Sequence, residues 1–179
     1  MKTVHIELTP ESIDNALAEL EKFQKWIEDG TKRLLQLMGE RGVEYANIEY
    51  GEALYTGTND VTVSYEMEGD TRVSVKADGH DVLFIEFGTG IRNQESHPDP
   101  IASNYPHGEY GHKLGSRPGG WRYPEEYGAG NAGLAWPDER HPGYLHTLGN
   151  PANASLYNAE TKLKDEFLSI AKEAFGTYA

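Results

Sequence analysis

Between Gly88 and Gly149 the chain stops reading as ordinary helix or strand. That stretch holds twelve of the twenty glycines, seven of the nine prolines and five of the seven histidines. Directly ahead of it stands VLFIEFGTG, Val82 to Gly90, an apolar run with one acid inside it and a glycine-broken exit. Patterned sequence lies on both sides, so the excursion interrupts a compact α/β domain. Loops longer than about 12–15 residues are usually functional or disordered rather than passive connectors. This one carries Trp121, Trp136 and five tyrosines, which disordered tails generally lack. It reads as a surface built to meet something.

A chain of 179 residues suffices for one domain with a real core. The expected organisation is a single domain over 1–179 with an extended loop insertion at 91–149. The formal charge is −13, from 29 acidic and 16 basic residues, and no lysine or arginine run offsets it locally. Gripping nucleic acid takes clustered positive charge, so a tightly held nucleic acid is not expected. DNA that slides past an acidic wall without sticking fits the balance. The absence of cysteine excludes a disulfide framework and thiolate metal sites. No apolar stretch approaches the roughly 20 residues that span a bilayer, and MKTVHIELTP lacks a signal-peptide core. Synthesis in a cytoplasm and no membrane partner are the expectations.

Thr3 to Leu8 alternates around Val4, Ile6 and Leu8, the pattern of a short half-buried strand. Thr9-Pro10-Glu11 then marks a helix start, with Ile13, Leu17, Leu20, Phe23 and Ile27 on one apolar face. Leu34, Leu35 and Met38 extend the pattern to about Arg41, with a break or bend expected at Gly30 and an end at Gly39 and Gly42. Asn47 to Tyr55 offers a further strand. Val61, Val63 and Tyr65, then Val73 and Val75 beyond the turn Glu68-Gly69-Asp70, predict a β-hairpin over 60–77. Val82 to Phe87 fits a buried strand or a short helix closed by Gly88, and periodicity does not decide between them. Leu156, Ala159, Leu163, Phe167, Ile170 and Ala174 define a last helix, capped by Asn150-Pro151 or Asn153.

Glu86 lies inside the apolar run, where an unpaired carboxylate is expensive. It needs backbone donors, a cation or an edge position. A catalytic acid there demands a second, suitably placed partner that the sequence does not identify. The preferred reading is a structural acceptor that ties down the glycine turn Phe87-Gly88-Thr89. Gly88-Thr89-Gly90 lacks the GxxxxGK[ST] pattern, and no GxGxxG occurs, so nucleotide binding is not expected. His97, His107, His112, His141 and His146, with Asp99, Glu109 or Asp138, supply metal-ligand types, but without HExxH or another diagnostic spacing. No serine sits in GxSxG. Gly111 to Pro124 gathers Lys113, Arg117 and Arg122 around Trp121 and Tyr123, the composition buried protein contacts favour. A loop folded onto its own domain with Trp121 as anchor explains that stretch equally well.

Two segments taken together resemble a known family. Ile85-Glu86-Phe87-Gly88-Thr89, followed after the insertion by Gly149-Asn150-Pro151-Ala152 and Leu156-Tyr157-Asn158-Ala159, is similar to the phage minor tail or neck proteins. These are the head-tail connector and tail-completion proteins of long non-contractile-tailed phages, the siphoviruses. Trp121-Arg122-Tyr123-Pro124 resembles the aromatic insertion of members from phages of Gram-positive hosts. The chain departs from the family at Asn153 to Ser155, where a proline and a bulky aromatic usually stand. The resemblance implies a non-enzymatic structural subunit of the virion that forms a ring at the capsid–tail junction. It further implies DNA passing through the lumen, neighbours extending one another's sheets, and loops reaching adjacent connector and tail-tube proteins.

The expected fold is α+β: an antiparallel β-sheet with a hairpin, packed by N-terminal and C-terminal helices, with the long inserted loop. The expected interface residues are Arg117, Trp121, Arg122, Tyr123 and Trp136, with Glu86, Phe87, Gly88 and Thr89 shaping the turn that presents the loop. No catalytic residue, cofactor or metal is expected. The competing reading is a metal-dependent hydrolase using the loop histidines, and a third is a monomeric binding module.

Overall fold

The computed structural model describes residues 7–53, 59–88, 97–99, 120–124 and 135–177. One long helix, α1 (Pro10–Glu52), dominates the N-terminal part. Its start follows from local chemistry. Ser12 N donates to the Thr9 hydroxyl at 3.3 Å, Pro10 sits where no N–H is needed, and Glu11 lies at the positive end of the dipole. Of the strand expected at Thr3–Leu8 only Glu7 and Leu8 are described. They join no sheet, and Leu8 is fully exposed.

α1 runs unbroken through Gly30, Gly39 and Gly42, so none of them breaks or ends it. A Cβ on Gly30 would stand 2.3 Å from Phe175 Cδ1, one on Gly39 2.5 Å from Tyr65 Cδ2, and one on Gly42 2.7 Å from Val75 Cγ2. Each marks a notch where another element lies close against the helix, and that packing offsets the roughly 1 kcal/mol a helical glycine costs against alanine. The strand expected from Asn47 is also absent, since α1 continues to Glu52. Ala46 and Tyr50, one turn apart, are both buried, which fixes a helical period there.

Strands β1 (Thr62–Glu68) and β2 (Arg72–Asp78) form the antiparallel hairpin, with Tyr65 opposite Val75 and Met67 opposite Val73. Tyr65 and Val73 meet α1 at Gly39, and Val75 meets it at Gly42. Val82–Phe87 is a helix, α2, in which Ile85 N donates to Asp81 O at 2.9 Å.

Part of the excursion expected as loop is a second sheet. Strands β3 (Trp121–Pro124), β4 (Ala135–Pro137) and β5 (Tyr144–Thr147) pair antiparallel in the order β3-β5-β4. Pro124 and Pro137 both lie on edge strands, where a missing N–H need not cost a ladder bond.

The last helix, α3 (Ser155–Phe175), runs antiparallel along α1. Near its start Asn158 Nδ2 donates to Glu49 Oε2 at 3.1 Å. Further on Tyr45 donates to Glu166 at 2.6 Å, and Arg41 pairs with Glu166 and Glu173. At its end the Trp26 indole donates to the Phe175 carbonyl at 2.9 Å, satisfying one of the carbonyls a helix leaves open. The buried cluster Ala46, Tyr50, Val82, Ile85 and Ala159 lies where α1 ends, α2 sits and α3 begins, flanked by Val61, Val63, Ala77 and Leu156. The chain is thus an α+β fold whose N- and C-terminal helices pack together beside two antiparallel sheets.

Candidate functional site

Glu86 stands at the centre of that junction, its side chain only 7 % exposed. Its Oε2 accepts from Leu156 N at 2.9 Å and from the Tyr50 hydroxyl at 3.4 Å, and its Oε1 accepts from Tyr157 N at 3.2 Å. The two backbone donors belong to the first turn of α3, whose N–H groups have no partner inside the helix. A carboxylate at the positive end of the dipole is the favourable charge for that place. Glu86 therefore caps α3 from a distant part of the sequence. The residue at the local cap position, Ala154, is left-handed (φ 51°) and offers no side-chain bond, so neither Asn150-Pro151 nor Asn153 caps α3 as expected. Asn153 instead donates through Nδ2 to the Glu49 carbonyl and to the Ser155 hydroxyl, both at 2.8 Å.

The backbone completes the lock. Asn153 N donates to Ile85 O at 2.8 Å, and Ala154 N to Glu86 O at 3.0 Å, so the open carbonyls of α2 are satisfied by the lead-in to α3. Gly88 has φ 72°, and a Cβ there would stand 2.6 Å from Ala152 N and 2.7 Å from Asn150 O. Only glycine fits. Burial first, then the adjacent Glu86 carboxylate, hold the Tyr50 phenol above its usual titration range, so it remains a donor.

His97 returns part of the excursion to this junction. Its ring stacks on Phe87 with centroids 5.2 Å apart and meets Tyr157 edge-on at 5.7 Å. Asp99 N donates to His97 Nδ1 at 3.1 Å, which places the ring proton on Nε2, 3.6 Å from Glu86 Oε1. His97 Nε2 itself is buried and makes no hydrogen bond. The site is a knot of packing and backbone bonds that joins α2, the excursion and α3.

The second sheet sorts the interface residues expected from sequence. Arg122 and Trp136 both lie opposite His146, so these three share one face, and Trp136 meets the His146 ring edge-on at 4.8 Å. Arg122 and Trp136 are exposed. Tyr123 pairs with Leu145, in the other row, where Leu145, Thr147 and Ala135 are buried. The sheet therefore does not bring Arg122, Tyr123 and Trp136 onto one surface. Trp121 pairs with Thr147 in register, and its side chain lies outside the described residues, as do Thr89 and Arg117. Arg122 forms an ion pair with Asp138, whose carboxylate also accepts from Arg140 N at 2.8 Å and lies 3.4 Å from His141.

Among the described residues no group of three or more His, Asp or Glu side chains is placed to hold a metal. The three described histidines of the excursion go to separate neighbours: His97 to Phe87, His141 to Asp138, His146 to Trp136. His107 and His112 lie outside the described residues. No protein-family model, curated protein or solved structure matches the chain.

Sequence reasoning passed over Tyr50, and it gave Asn153 and Asp138 other roles, as a helix cap and a candidate metal ligand. Only the first left a signal: a buried acid in an apolar run demands donors, and a helix lead-in without a side-chain cap, Ala154-Ser155, demands an acceptor. Those two demands answer each other.

Proposed function

We propose that this chain is a structural virion protein, a neck or tail-completion subunit at the head-tail junction of a long non-contractile-tailed phage, made in the host bacterial cytoplasm. Copies assemble into a ring through which DNA passes without specific binding, between adjacent connector and tail-tube proteins. The observation that carries this reading is the knot around Glu86. The two segments that resemble the neck family, Ile85–Gly88 and Gly149–Ala152 with Leu156–Ala159, form one hydrogen-bonded unit, and the excursion springs from it. A frame of this kind presents a variable segment while fixing both of its ends. The charge of −13 supports a lumen that does not grip DNA. The exposed Arg122 and Trp136 supply an aromatic and guanidinium pair of the type that anchors protein contacts.

Analytical ultracentrifugation of the wild type and of an Arg122→Ala/Trp136→Ala variant tests the reading. Assembly beyond a dimer in the wild type, weakened in a variant whose circular dichroism is unchanged, supports it. Equal assembly of both proteins removes these residues from the interface. A single-subunit mass for the wild type, alone and with phage tail extract, removes the ring.

A further inference from the structure

We infer that the start of α3 is a conformational switch, in which a helix one turn longer, capped by Asn150, competes with the observed start capped by Glu86. The sequence writes the longer form. Asn150-Pro151-Ala152-Asn153-Ala154 offers a capping asparagine, a proline at the first helical position and alanines behind it. The structure holds these residues out of the helix. α3 begins only at Ser155, and Ala154 takes φ 51° and ψ 42°, the left-handed region that an alanine side chain disfavours. It is the one non-glycine residue with positive φ among those described. Backbone strain of this kind persists only where surrounding contacts over-determine it.

Those contacts come from Glu86 and its helix. Leu156 N and Tyr157 N donate to the Glu86 carboxylate, and Asn153 N and Ala154 N donate to the carbonyls of Ile85 and Glu86. In the longer helix Leu156 N would donate to Ala152 O and Tyr157 N to Asn153 O, the bonds to the fourth residue back that one added turn supplies. The Asn150 side chain would accept from Asn153 N as the cap. The same two N–H groups serve either form but not both, so the two starts exclude each other. Asn158 N donates to Ala154 O at 2.8 Å in the observed form, and an added turn keeps that bond. The exchange therefore leaves the rest of α3 untouched.

His97 stands where Glu86 needs a donor once those two leave. Its Nε2 is buried without a hydrogen bond, 3.6 Å from Oε1, the oxygen that Tyr157 N now holds. A small shift of the ring completes that bond, and the Tyr50 hydroxyl stays on Oε2. The carboxylate is then satisfied in both forms. The carbonyls of Ile85 and Glu86 lose their donors in the longer one, so the observed form is the ground state. Whatever draws the excursion off α2 removes that advantage and adds a turn to α3, about 6 Å of helix. β5, which ends at Thr147 just ahead of this segment, moves with it.

Carbon-13 Cα shifts of residues 151–154 in the full chain distinguish the two forms, whatever its state of assembly. The wild type should give irregular values. Gly88→Ala places a Cβ 2.6 Å from Ala152 N and 2.7 Å from Asn150 O, which forces the segment off α2. Asn153→Ala removes the side-chain bonds to the Glu49 carbonyl and the Ser155 hydroxyl and adds no bulk. Each should move residues 151–154 toward helical values while the shifts of α3 persist. Adding Ala154→Gly, which relaxes the left-handed backbone and weakens the longer helix, should reverse this by changing the ratio of the two forms roughly tenfold or more. Where Gly88→Ala does not fold, Asn153→Ala with and without Ala154→Gly decides alone. Irregular shifts at 151–154 in Asn153→Ala, or helical ones that survive Ala154→Gly unchanged, overturn the inference.

Discussion

Glu86 Oε2 accepts a hydrogen bond from Leu156 N at 2.9 Å across 70 residues of sequence. An acid on a six-residue helix thereby supplies the cap that the last helix lacks locally, and the excursion between them is held at both ends.

Glu86→Ala should lower stability by about 2–4 kcal/mol, because it strands the Leu156 and Tyr157 N–H groups and the Tyr50 hydroxyl away from water. Glu86→Gln, which keeps an acceptor but loses the charge at the dipole, should cost about 1–2 kcal/mol. Urea unfolding of the three proteins measures both. Equal midpoints would show that the carboxylate does not cap α3.

Alanine at two glycines of α1 should act with opposite signs. At Gly42 the new Cβ would stand 2.7 Å from Val75 Cγ2 and 3.2 Å from Leu163 Cδ1, so Gly42→Ala should destabilise by about 1–3 kcal/mol. Gly51 has nothing within 4 Å, and Gly51→Ala should stabilise by about 0.5 kcal/mol through helix propensity. Thermal melts of both variants decide. A stabilising Gly42→Ala would mean the hairpin does not lie against α1 there.

The neutral His97 ring should carry its proton on Nε2, since Nδ1 accepts from Asp99 N. Nitrogen-15 chemical shifts of the labelled ring report the tautomer directly. An Nδ1 proton would place the 97–99 segment differently against Glu86.

On the exposed edge of the fold Asp60 clasps His80. Its carboxylate accepts from His80 N at 2.9 Å and from the ring Nδ1 at 2.8 Å. The backbone bond from His80 first, then the ring bond, hold Asp60 below its ordinary value, while the Asp60 bond holds His80 above its own. A raised histidine contributes fully below its unfolded value and loses the contribution as pH rises through the folded one. A depressed carboxylate contributes above its unfolded value and loses it as pH falls through the folded one. The clasp should therefore hold from acid pH, below the ordinary aspartate range, to beyond the ordinary histidine midpoint. An NMR titration of His80 should show a midpoint above 6.5 that drops in Asp60→Asn. An unchanged midpoint in the variant would remove the clasp.

The hairpin and the last helix were legible in sequence because each buries one face and writes its own period. The turn Glu68-Gly69-Asp70 separates two alternating runs, and Leu156, Ala159, Leu163 and Ile170 recur at helical spacing. The course of α1 was not legible. Gly30, Gly39 and Gly42 read as punctuation in isolation, and their reason lies in Phe175, Tyr65 and Val75, far along the chain. The second sheet was hidden too: strands of three and four residues, two of them ending in proline, are too short to show alternation. Of the site, the need of Glu86 for donors was legible, and their position at the start of α3 was not.

Native mass spectrometry of the untagged chain over a concentration series, with and without phage tail extract, tests the architectural account most directly. The account predicts one closed stoichiometry larger than a dimer, reached alone or on adding extract. A mass of one subunit under every condition would contradict it.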